Sequence, residues 1–141
     1  MEHLIEPDFT LHTFKMWVHD RGDNLDSNWI IVTAECSASG AIVRVENRSI
    51  IELFDIEKWM KDMKQMHQTL KGEAILSPCE PEVYAKLTMK NHGLMDFEVE
   101  ITPDNLYQMH KFIFELNQSY LPSAISDLDK ILKKYPIVGK H

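Results

Sequence analysis

The chain has 141 residues, 44% of them apolar and 26% charged, the content of one ordinary globular domain that can bury a core without disulfides or a structural metal. Its formal net charge of −7 argues against a nucleic-acid-binding domain, which needs clustered basic residues to displace counterions from phosphate. The two cysteines, Cys36 and Cys79, lack the paired spacing of a zinc or redox site and are expected as buried thiols; no run of about 18 apolar residues is present to cross a membrane.

The opening MEHLIEPDF has no basic region followed by an apolar run, so a cytoplasmic location is expected. The glycosylation triplets at Asn47 and Asn117 then carry no consequence. FTLHTFKMWVHD, residues 9 to 20, alternates apolar and polar residues with one phase change near Thr13, the pattern of a strand containing a bulge. A turn rich in aspartate comes next, DRGDNLDSNW at residues 20 to 29. NWIIVTAECSA, residues 28 to 38, sets Ile30, Val32, Ala34 and Cys36 on one face and reads as a central strand. Ser39-Gly40 suits a two-residue hairpin turn that pairs Ala38 with Ala41, Cys36 with Val43 and Ala34 with Val45.

Ser49-Ile50-Ile51-Glu52 has the form of a capping box, yet Ile50, Ile51, Leu53 and Phe54 also suit a strand; a strand with Asp55 as the helix cap is preferred. Ile56, Trp59, Met60, Met63, Met66, His67 and Leu70 then recur at helical spacing, with Gly72 as the stop. A methionine stripe this regular reads as core rather than as an adaptable binding face. Residues 82 to 90 and 94 to 102 flank Asn91-His92-Gly93. A three-residue loop with Gly93 left-handed aligns Met89 with Met95, Leu87 with Phe97, Ala85 with Val99 and Val83 with Ile101. Lys86 then stands opposite Glu98 on the outer face, beside Tyr84, Thr88, Asp96 and Glu100, and is expected to pair with one of the glutamates. HKFIFELNQ, residues 110 to 118, is expected as the last strand. Leu121, Ile125, Leu128, Leu132 and Tyr135 mark the buried side of a second helix, with Ile131 flanking it, Pro122 in its first turn and Pro136 at its end. The expected fold is one α+β domain over residues 1 to 141, a single antiparallel β-sheet of about six to eight strands with both helices packed on one side.

Few groups are spaced for chemistry. Asn24, Asp26, Asn28 and Glu35 have the spacing of calcium-loop ligands, but the position that requires glycine holds Trp29, and the IIVTA run after it reads as strand. No two of the seven histidines share the i, i+4 spacing of a helical zinc pair, and no serine sits in a Gly-x-Ser-x-Gly turn. No catalytic, cofactor-binding or metal-binding residue is expected.

Two stretches stand out: Asp26-Ser27-Asn28-Trp29 opening the second strand, and Tyr135-Pro136-Ile137-Val138-Gly139 after the final helix. Together with the hairpin and the C-terminal helix they resemble the WapI-type immunity proteins of bacterial polymorphic-toxin systems, in which a similar turn and a Y/F-P-V-x-G-like tail recur; Ile137 departs from that tail. The resemblance implies a protein that neutralises a cognate toxin domain by stoichiometric protein–protein binding. It supplies no catalytic residues. A nuclease toxin would present a basic cleft, so the acidic residues Asp20, Asp23, Asp26, Glu98 and Glu100 are the expected partner-binding set. The alternatives are an interaction module of unrelated role, or an enzyme whose site forms only in the fold, around His12 or His110.

Overall fold

The computed structural model describes residues 5–22, 27–104 and 106–139. Its strands are β1 (Phe9–Leu11), β2 (Phe14–Arg21), β3 (Trp29–Ala38), β4 (Ala41–Glu52), β5 (Glu73–Leu76), β6 (Val83–Met89), β7 (Leu94–Ile101) and β8 (Lys111–Asn117). Helix α1 (Leu53–Thr69) lies between β4 and β5 in the chain, and α2 (Leu121–Lys134) comes after β8. Both hairpin registers agree with the sequence expectation. Ala38 faces Ala41 and Cys36 faces Val43, across a turn in which Ser39 (φ 49°) and Gly40 (φ 87°) are both left-handed. That conformation matches the twist of the strands it joins. In the second hairpin Met89 faces Met95 and Leu87 faces Phe97, with Gly93 left-handed at φ 73°.

The strands do not form the single sheet expected. They form two antiparallel sheets of four, ordered β1-β2-β3-β4 and β5-β6-β7-β8. The reason lies in α1, which packs along β5, where Trp59 Nε1 donates to the Ala74 carbonyl at 3.2 Å. A helix therefore borders the second sheet where a continuous sheet would need a strand from the first. Helix α2 packs on α1 and on β1, where the Thr10 amide donates to the Asp127 carboxylate at 3.1 Å. The helix pair thus joins the β1 edge of one sheet to the β5 edge of the other, instead of lying on one side of a shared sheet.

Both sheets bury one face in a common core. The Phe14 ring of β2 meets Phe97 of β7 edge-on, with centroids 6.1 Å apart. Trp59 reaches the same place from α1, 5.1 Å from Phe9 and 6.4 Å from Phe14. Fully burying aromatic side chains of this size contributes about 1.5–3 kcal/mol each from water exclusion alone, so this cluster is where the three layers are held together.

Smaller expectations also shift. The phase change near Thr13 is a tight turn, with His12 at φ 56°, and the bulge falls between Val18 and Asp20. Glu52 is the N-cap of α1 and Asp55 occupies the third helical position, its carboxylate accepting the Glu52 amide at 2.9 Å. A capping box from Ser49 to Glu52 does not form: β4 runs through Ser49 to Glu52, and the box is made instead by Glu52 and Asp55. Helix α1 ends at left-handed Leu70, before Gly72. In α2 the buried residues are Leu121, Ala124, Leu128 and Ile131, while Ile125, Leu132 and Tyr135 are partly covered. Cys36 is buried, whereas Cys79 is exposed.

Candidate partner-binding surface

Alternation along the strands of the second sheet sends Val83, Ala85, Leu87 and Met89 inward and their neighbours outward. Pairing across four strands then lines the outer face in rows. Ile75, Lys86, Glu98 and Ile113 form one; Tyr84, Glu100 and Lys111 form a second; Glu73, Thr88, Asp96 and Glu115 form a third. Five carboxylates thus share the face with Lys86 and Lys111, and Lys90 stands at its border.

Glu98 faces Lys86 in register, but its ion pair is made with Lys111, at 3.4 Å, and Glu100 lies 4.0 Å from the same amine. Lys90 bridges Glu115 at 2.8 Å and Asp96 at 3.0 Å, and these bonds, Glu115 first, raise its pKa above the ordinary lysine value. Exposed pairs of this kind contribute little to stability, because solvent screens them.

The structure brings Glu98 and Glu100 together and sets Asp20 elsewhere. Asp20 is exposed beyond the bulge of β2, paired with Ile31 on the outer face of the first sheet, and its carboxylate accepts the Arg21 amide at 2.8 Å. Asp23 and Asp26 lie outside the described residues. The loop from β7 to β8 adds residues that the sequence pattern did not single out. Leu106, Tyr107 and Met109 are 79%, 84% and 82% exposed. The available signal was a cluster of large apolar residues directly after Pro103-Asp104, with neither helical nor strand periodicity.

Two motif stretches far apart in sequence meet in space. The Asn28 side-chain amide donates to the Val138 carbonyl at 2.9 Å and accepts the Val138 amide at 2.9 Å. Arg21 donates to the Ser27 carbonyl at 2.9 Å and also to the Pro136 carbonyl. The Asn28 carbonyl takes the Leu53 amide at 2.7 Å, where β4 becomes α1. These bonds make the turn an architectural latch for the C-terminal tail. Of the residues with calcium-loop spacing, Asn24 and Asp26 lie outside the described residues, while Trp29 begins β3 and Glu35 is held by Arg44 at 2.6 Å.

The two histidines offered for catalysis each meet another side chain. His12 lies against Phe114, with ring centroids 4.4 Å apart, and His110 bonds Gln108 at 3.2 Å. Burial pushes the Cys36 thiol above its ordinary pKa, away from thiolate chemistry. Among the described residues no three His, Cys, Asp or Glu side chains converge as a metal site, and no helix is long and apolar enough to cross a membrane. A shallow hollow of about 520 Å³ is lined by Thr10, His12, Thr13, Ser119, Tyr120 and Ser123, with neither carboxylate nor thiol among them.

No curated protein matches the sequence. Among solved structures, one titled as the CdiA-CT/CdiI toxin and immunity complex from Enterobacter cloacae is similar, with a TM-score of 0.46 and 8% identity over 83% of this chain and 99% of the matched one. The family model for WapI-like immunity proteins matches residues 7–136, almost the whole length. The chain belongs to the WapI-like family of immunity proteins, and is accordingly a protein that neutralises a toxin.

Proposed function

We propose that this immunity protein acts in the cytoplasm by forming a one-to-one complex with its toxin, covering the toxin's working surface rather than modifying it. The observation that carries this reading is the outer face of the second sheet, where Asp96, Glu98, Glu100 and Glu115 stand in paired rows on a rigid support. Such a face suits a toxin with a basic surface, as a nuclease must present to its substrate. Glu98 and Glu100 are assigned to the contact itself. Asp20, with Asp23 and Asp26 beside it in sequence, adds to the acidic field that draws the partner in. His12 lies against the Phe114 ring and His110 hydrogen-bonds Gln108 Oε1, an arrangement that supports binding over catalysis.

A titration tests the mechanism. Toxin activity should fall linearly and vanish at one equivalent of this protein; complete loss at a small fraction of an equivalent would indicate turnover and overturn the reading. Capture of the partner from native lysate should give equal amounts of the two chains and weaken at moderate salt. Glu98→Lys with Glu100→Lys should slow association by about tenfold or more at low salt, since steering contributes about 10–1,000-fold to such rates. An unchanged rate would remove these two residues from the contact.

A further inference from the structure

The segment from Leu106 to Ile113 defies the rule that large apolar side chains are buried. Leu106, Tyr107, Met109 and Ile113 are 66–84% exposed within eight residues of chain. The exposure is built into the turn. The Asp104 carboxylate takes the Leu106 amide at 3.0 Å, and the Asp104 carbonyl takes the Gln108 amide at 3.0 Å. At the base of the loop, the Ile101 amide donates to the His110 carbonyl at 3.2 Å. These bonds hold the amides of Leu106 and Gln108 and the carbonyl of His110 while the apolar side chains project.

Position ties this knuckle to the acidic face. The loop leaves β7 just after Glu100 and enters β8 at Lys111, which pairs with Glu100 across the strands. Ile113 is the register partner of Glu98. An apolar centre therefore adjoins a charged border, the anatomy of a protein–protein contact, in which tyrosine and methionine are enriched at the centre and charge is confined to the rim. Charge decides between occupants. A second copy would set this acidic face against its own like, on a chain of net charge −7, whereas a toxin with a basic surface meets complementary charge.

We infer that Leu106, Tyr107 and Met109, with Ile113 beside them, are the apolar anchor of the toxin contact. This rests on the one-to-one complex proposed above and divides its labour. The carboxylates set how fast the partner arrives, and the anchor sets how long it stays.

The test uses the purified toxin domain identified by capture from native lysate, with both rate constants measured for the wild type and for Tyr107→Ala combined with Met109→Ser. Both positions are exposed, so thermal unfolding of the variant should match the wild type. The dissociation rate should rise about 30-fold, the equivalent of about 2 kcal/mol, with the association rate changed less than about threefold. Tight wild-type binding with an unchanged dissociation rate in the variant would overturn the anchor and leave the one-to-one complex standing. Failure of the wild type to bind that domain would overturn both. Sedimentation of the free protein as a dimer that the double variant abolishes would also overturn the proposal, by assigning the knuckle to a second copy.

Discussion

Asn28 shows how a single side chain can give a short motif its meaning. Its amide both donates to and accepts from the backbone of Val138, the pattern of a strand pair made by one side chain, and it does so across 110 residues of sequence. The motif residues were visible in the sequence; their meeting was not, because nothing local in either stretch encodes a contact of that separation. Replacing Asn28 by Asp keeps the acceptor for the Val138 amide but turns the donor into a second oxygen facing the Val138 carbonyl. Asn28→Asp and Asn28→Ala should each lower stability by about 1–3 kcal/mol, the cost of leaving a part-buried hydrogen-bonding group unpaired. The midpoint of urea unfolding measures it. A wild-type midpoint for both variants would mean that the tail does not depend on the latch.

At the scale of elements, the hairpins were legible because their information is local. Alternation fixed which residues face the core, and a one-residue slip at either turn would have set core side chains against solvent. The helix boundaries were less legible. Asp55 looked like a cap and instead serves as the third residue of a capping box begun by Glu52, because β4 passes into α1 with no intervening loop. The buried stripe of α2 includes Ala124, which the apolar pattern passed over, and Ile131, expected only at its flank, because two surfaces, α1 and β1, press on it at once. The same local logic gives a test at the turns. Ser39 adopts φ 49°, which asparagine tolerates better than serine, and the adjoining Gly40 completes the favoured pair. Ser39→Asn should raise stability by a few tenths of a kcal/mol, up to about 1. Gly93→Ala should lower it by about 1 kcal/mol or more, since φ is 73° and the new methyl would stand 3.1 Å from Gln118. Thermal unfolding of both variants checks the pair of signs, and a gain at Gly93 would show that the loop rearranges.

For the whole molecule, the sequence allowed one sheet or two, because strand periodicity records which face is buried and not what buries it. Sheet-on-sheet and helix-on-sheet packing demand the same alternation. That ambiguity hid the division at α1, and with it the reason the candidate surface is open: the second sheet commits its inner face to the shared core and leaves its outer face exposed. Two sheets with separate hydrogen-bond networks raise the question of whether they unfold separately. Trp59 argues that they do not. It lies against Phe9 and Phe14 of the first sheet while bonding the Ala74 carbonyl of the second, so neither sheet can leave without exposing it. In a Trp17→Phe/Trp29→Phe background, Trp59 fluorescence and far-ultraviolet circular dichroism should therefore trace a single coincident transition in urea. Separated transitions would mean that one sheet persists without the other, and that Phe14, Trp59 and Phe97 pack together without coupling the two halves.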